Sequence, residues 1–194
     1  MDNITFLPWP KTPRLYDPKG YCITEKLDGT NAAVIITDDG QVGAQSRKRL
    51  ITPDADNHGF ARWVEQNYET LIEVLGPGHH FGEWWGNGIQ RGYGLKNGDK
   101  RFSLFNVDRF GFLEFDSPLP ELGVVPKLYD GIWSDRAVAS ALENLRRDGS
   151  VAAPGFDKPE GICIFGRADR RIYKVILDKT PDAHVIDDTT ALAA

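Results

Sequence analysis

The sequence predicts an α+β domain with mainly antiparallel sheets. Three observations carry this. Two strand-like runs flank Asp39-Gly40, a dipeptide suited to a tight hairpin. Only two segments show helical periodicity. The remaining strand-like runs cluster before, between and after those helices instead of alternating with them one for one.

Taken in order, residues 1–20 hold Pro8, Pro10, Pro13 and Pro18, and a segment so poor in backbone donors is expected as extended coil draped on the domain. YCITEKL and AAVIIT then read as strands, followed past the turn by QVGAQS. Phe60, Val64, Tyr68, Leu71, Ile72 and Leu75 recur at three- and four-residue spacing, which predicts one helix. Asn57 is placed to cap it, and Gly76-Pro77 to end it. HHFGEWW and RFSLFNVDRF read as strands. A second helix is expected over 135–147, with Val138, Ala141, Leu142 and Leu145 as its stripe, Ser134 as its cap and Gly149 as its stop. GICIFG and RRIYKVIL complete the strands. The expected organisation is one domain over 1–180 and a mobile tail over 181–194, with no internal repeat or linker.

The 194 residues suffice for one domain with its own core, and 41% hydrophobic with 26% charged residues is ordinary for a soluble globular chain. Cys22 and Cys163 each lie in an apolar run and read as buried free thiols. With no apolar stretch of membrane-spanning length and no basic start or apolar run of a signal peptide, a cytoplasmic protein is expected. The net charge of −5 argues against attachment to nucleic acid by bulk charge. The basic clusters at 47–49, at Arg91, Lys96, Lys100 and Arg101, and at Arg167, Arg170 and Arg171 each read singly as solvated faces. His58, His79, His80 and His184 lack metal-ligand spacing, so no zinc site is expected. The glycine-rich stretch after Asn87-Gly88, through Gly92-Tyr93-Gly94, matches no Walker-type phosphate loop and is expected as a flexible loop near substrate.

The segment Glu25-Lys26-Leu27-Asp28-Gly29-Thr30-Asn31 places a lysine at the end of a strand and against a turn. Ser46-Arg47 follows the hairpin. Then come Phe81-Gly82-Glu83-Trp84-Trp85-Gly86, Phe102-Ser103-Leu104-Phe105-Asn106-Val107, Glu160-Gly161-Ile162 and Tyr173-Lys174-Val175. In this order they resemble the collinear motifs of the covalent nucleotidyltransferases, the superfamily of DNA ligases, RNA ligases and mRNA capping enzymes. The resemblance spans roughly 21–178, nearly the whole chain. Glu-Lys-x-x-Gly-Thr-Asn, with Asn31 where DNA ligases and capping enzymes carry arginine and with Arg47 downstream, is similar to the RNA ligase 2 group.

The resemblance implies an ATP-grasp-like ligase domain of antiparallel sheets flanked by helices. It implies an ATP-dependent RNA ligase in which Lys26 becomes a lysyl-AMP, passes AMP to a 5′-phosphate RNA end and lets a 3′-hydroxyl displace it. Catalysis falls to Lys26, Glu160 and Lys174. The nucleotide falls to Glu25, Asp28, Asn31, Arg47, Glu83 and Phe105, and Mg²⁺ or Mn²⁺ to Glu160 and Glu83. Within that division Phe105 stacks on adenine, the backbone at Glu25 and Lys26 reads its edge, and Glu83 lies on the ribose side.

The chemistry suits these residue types. A free lysine, with a pKa of about 10.4, is protonated and not nucleophilic at neutral pH. Cations such as Lys174, Arg47 and a metal favour the neutral amine and stabilise phosphorane-like charge. Two departures are present. The fifth motif usually reads Lys-x-Lys, but Ile172 and Ile176 flank Lys174, with Arg171 and Lys179 as possible replacements. The chain also ends soon afterwards, where RNA ligase 2 enzymes carry a helical domain and DNA ligases an OB domain; a minimal catalytic domain is expected. The competing expectations are nucleotidyl transfer to another acceptor, and a nucleotide- or RNA-binding module that has lost chemistry.

Overall fold

A computed structural model describes residues 20–179. The expectations for 1–19 and for the tail after Pro181 lie outside them. In chain order the elements are β1 (Tyr21–Lys26), β2 (Thr30–Ile36), β3 (Val42–Ser46), β4 (Leu50–Ile51), α1 (Phe60–Gln66), α2 (Tyr68–Leu75), β5 (Gly78–Gly86), β6 (Lys100–Leu104), α3 (Val107–Phe110), β7 (Leu122–Val124), β8 (Lys127–Gly131), α4 (Asp135–Asp148), β9 (Gly161–Gly166) and β10 (Ile172–Ile176).

They form two sheets, a four-stranded one in the order β10-β9-β1-β8 and a six-stranded one in the order β4-β3-β2-β5-β6-β7. All pairings are antiparallel except β6 with β7. The α+β expectation therefore holds. The hairpin forms as the Asp39-Gly40 signal requires: Thr37 N–H donates to Gln41 O at 2.9 Å, and Gly40 takes a φ of 80°.

Each sheet buries one face under helices. Ala32, Val34, Trp84, Phe102 and Leu104 pack with Phe60, Trp63, Leu71 and Leu75 of α1 and α2. Ile23, Ile162 and Ile164 pack with Ala141, Leu142 and Leu145 of α4. A third cluster containing Cys22, Leu27, Trp85, Tyr93 and Val107 joins the two sheets. The chain crosses from one sheet to the other at Leu27-Asp28-Gly29, directly after Lys26.

Several local expectations are corrected. The single helix over 60–75 is two, because Asn67 interrupts it. Its side chain donates to Trp63 O at 2.8 Å, and its backbone N–H is shared between Trp63 O and Val64 O. The break takes Tyr68 off the buried stripe, leaving it 48% exposed. Asn57 does not cap α1: Asp56 does, accepting from Ala61 N–H at 2.8 Å and Arg62 N–H at 3.2 Å. The strand expected over RFSLFNVDRF stops at Leu104, since Asn106 accepts from Arg109 N–H at 3.1 Å and starts α3. Strands β4, β7 and β8 were not expected at all; they are short and lack clean alternation. Helix α4 matches its expectation, with Ser134 accepting from Ala137 N–H at 3.2 Å and Gly149 following it.

Candidate active site

The end of β1 and the turn after it are held from several sides. The Glu25 carboxylate is buried and accepts from Ser150 Oγ at 2.6 Å, Val151 N–H at 2.9 Å and Ala152 N–H at 3.0 Å. Lys26 Nζ is hydrogen-bonded and ion-paired to Glu160 Oε2. Asp28 N–H donates to the Tyr93 hydroxyl at 2.9 Å, and Asp28 Oδ2 accepts from Arg91 Nε at 3.0 Å. Gly29 N–H donates to Glu83 Oε1 at 3.0 Å. A Cβ at Gly29 would run into the Trp84 carbonyl and lie 2.8 Å from Trp85 Cβ, so only glycine lets the turn lie this close to β5.

Sheet register sets the remaining faces. Asn31, Glu83 and Ser103 stand side by side across β2, β5 and β6. Asn31 Nδ2 donates to Glu83 Oε2 at 2.8 Å, so both oxygens of Glu83 are occupied. Burial pushes the Glu83 carboxyl up to about 7, against the opposing pull of Gly29 N–H, the Lys26 ammonium and the Asn31 amide. In the other sheet, Thr24, Cys163 and Lys174 form one row across β1, β9 and β10. The half-buried Cys163 thiol lies within electrostatic reach of Lys26, Glu160, Glu83 and Lys174. Burial dominates there and raises the thiol's pKa.

Residues 19–176 match the RNA ligase family. The chain belongs to the RNA ligase family. Solved structures of the Naegleria gruberi RNA ligase share its fold. A glutamate-to-alanine variant with ATP and Mn matches at a TM-score of 0.59 and 23% identity, over 84% of this chain and 52% of that one. Another variant, with AMP and Mn, matches at 0.58 and 21% over the same shares. A third, with ATP and Mn, matches at 0.57 and 20%, over 82% and 49%. The chain thus spans about half the length of these relatives. No curated protein matches it.

In this RNA ligase family chain the structure brings together Lys26, Glu160, Glu83 and Asn31, with Lys174 on the same face as Cys163 and Asp28 at the turn. It does not bring the Glu25 carboxylate to them, because Glu25 points at the 150–152 segment. Arg47 lies exposed past the end of β3. Phe105, 42% exposed, follows β6, and its N–H donates to Phe81 O at 3.0 Å; Phe81 is exposed as well, so two accessible aromatics sit at this point. Arg171 precedes β10 and is out of phase with Lys174; Ile172 and Ile176, two residues to either side of Lys174, share its face. Cys163, expected as buried, is only half-buried, whereas Cys22 is buried.

The glycine-rich stretch is a further correction. Ile89 and Tyr93 are buried, Tyr93 at a φ of 50°, and Gly92 N–H and Leu95 N–H are both bonded within the segment, so it is a packed brace rather than a flexible loop. Arg91 and Tyr93, read from sequence as surface charge and loop, are the groups that grip Asp28. The only sequence signal for them is a large polar and an aromatic residue set among glycines.

Proposed function

We propose that this chain is an ATP-dependent RNA ligase-like enzyme with Lys26 as the covalent nucleophile. The observation that carries the reading is Lys26 at the crossing between the two sheets, paired with Glu160 and within the field of Glu83. Residue spacing supports it. The lysine and the first glutamate substituted in the Naegleria ligase structures stand as far apart as Lys26 and Glu83. The second glutamate and second lysine stand as far apart as Glu160 and Lys174, and an aspartate follows the first lysine as Asp28 follows Lys26.

Lys26 Nζ attacks the α-phosphorus of ATP, the bond to the β-phosphate oxygen breaks, and pyrophosphate leaves. Nζ is paired with Glu160, and attack requires it to leave that partner and meet phosphorus. Lys174 supplies positive charge on the same face, and Arg47 a second cation farther out. Phe105 offers adenine a flat apolar surface. Glu83, with both oxygens engaged by Gly29 and Asn31, anchors the turn on the ribose side.

Among the described residues no three His, Cys, Asp or Glu side chains converge on a metal position. Mg²⁺ or Mn²⁺ needs only one or two carboxylates, with waters and phosphates completing the shell. Glu160 would hold it, with Glu83, which feels the charge of Glu160, as the second carboxylate. The ion would supply neutralisation of phosphate charge.

The unit that acts is 1–180, with 181–194 appended. Its partners are RNA ends bearing a 5′-phosphate and a 3′-hydroxyl. Among the described residues no helix is long and apolar enough to cross a membrane, and the free thiols of Cys22 and Cys163 suit a cytoplasmic setting. A second reading, transfer to another acceptor or binding without chemistry, is favoured by one observation: Ile172 and Ile176 where the second lysine of the fifth motif would stand.

The test is a nicked RNA duplex with a 5′-phosphate, incubated with Mg²⁺ and ATP labelled at the α-phosphate. Label is expected on the protein, then on the RNA 5′ end, then as free AMP with a sealed strand, and none of these with Lys26→Ala. Sealing by Lys26→Ala would refute the mechanism. Label that stays on the protein would support the other-acceptor reading.

A further inference from the structure

Arg91 touches three of the chain segments that contribute to the site. Its Nε donates to Asp28 Oδ2 at 3.0 Å, two residues after Lys26. Its Nη1 donates to Lys158 O at 3.0 Å and Pro159 O at 3.3 Å, directly before Glu160. Its Nη2 donates to Asp178 Oδ2 at 2.6 Å, just past β10, which carries Lys174. Two residues on, Tyr93 is wedged against Trp85 and Phe156 with centroids at 5.1 and 4.7 Å, and its hydroxyl takes Asp28 N–H. A planar guanidinium can satisfy acceptors in four directions at once, and an ammonium cannot reproduce that fork.

We propose that Arg91 is a positioning residue that sets Lys26 against Glu160 and Lys174, with Tyr93 fixing the turn from below. The inference rests on the reading of Lys26 as nucleophile. Arg91 reaches none of the reacting atoms; it joins the nucleophile turn to the two segments that hold the carboxylate and the cation. Adenine is placed by a different part of the site, at Phe105. Loss of the brace therefore misplaces Nζ relative to phosphorus while leaving nucleotide affinity intact, and misplacement of about 1 Å costs roughly 100-fold in rate.

The experiment follows AMP adduct formation by intact mass in single turnovers, at a series of ATP concentrations, for wild type, Arg91→Ala, Arg91→Lys, Tyr93→Phe and Asp178→Ala. Arg91→Ala is expected to lower the maximal rate by about 10- to 100-fold and to change the ATP concentration at half-maximal rate less than about threefold. Arg91→Lys falls with Ala, because the charge without the fork is not enough. Tyr93→Phe and Asp178→Ala give smaller losses of the same kind. Asp178 is exposed, so its variant decides the matter if Arg91→Ala does not fold. Wild-type maximal rates in the folded Arg91 variants would overturn the inference. So would a wild-type rate in Asp178→Ala where Arg91→Ala is unfolded, or a loss that falls on ATP affinity instead of rate. Absence of adduct on the wild-type protein would instead refute the nucleophile reading itself.

Discussion

Glu83 sits where burial works against its charge: it is 8% exposed, and its carboxyl is pushed from the ordinary 4.5 up to about 7. A folded pKa above the unfolded one means that folding favours the protonated form. The associated stability is fully present below about pH 4.5 and is lost as pH rises through about 7, a change on the order of 3 kcal/mol. Glu83→Gln removes that dependence. Its melting temperature is expected to gain on wild type between pH 5 and pH 8, whatever the offset at pH 5. Melts without nucleotide check this, and a gap that does not change with pH would contradict the assignment. At this scale the sequence was informative where a residue lay inside a motif. Lys26 and Glu160, from two separate motifs, are paired, and Glu83 from a third feels the charge of both. Arg91 was not legible, because its partners lie between 63 and 87 positions away and only the fold unites them. The direction of the Glu25 carboxylate follows from alternation: its neighbour Lys26 meets Glu160, and Glu25 turns to the other side, onto the 150–152 segment.

At the scale of elements, periodicity located helices and strands but not their ends. The apolar spacing over 60–75 is real, yet Asn67 draws Trp63 O to its own side chain and splits the helix, a competition that a hydrophobic pattern does not register. The same holds for α1's start. Asn57 and Asp56 are both capping residue types, and only the path of the chain decides that the Asp56 carboxylate meets the free N–H groups. Asp56→Ala should therefore cost about 1 kcal/mol, read as a lower urea midpoint with an unchanged slope. An unaltered midpoint would mean that water caps the helix as well as Asp56 does. Strands β7 and β8 escaped the sequence because three to five residues of mixed polarity carry no period.

For the whole molecule, the two sheets meet along one cluster, and the chain crosses between them directly after β1, which ends in Lys26. Beside that crossing Lys26 pairs with Glu160, just before β9, Glu83 on β5 feels the charge of both, and Lys174 on β10 lies beside Cys163, so the arrangement is a product of sheet topology rather than of any single motif. The fold class was legible because hairpin, strand and helix signals agreed; the grip of Arg91 and Tyr93 on Asp28 was not, because those side-chain contacts are long-range. Residues 20–179 hold every group proposed for lysyl-AMP formation, although the chain spans about half the length of its solved relatives. Self-adenylation is therefore the central claim. The most direct measurement is the intact mass of the protein after pyrophosphate stripping and incubation with ATP and Mg²⁺, beside Lys26→Ala. The account predicts a gain of one AMP, reversed by pyrophosphate and absent from the variant. An unchanged wild-type mass with ATP, and again with GTP or NAD, would contradict it.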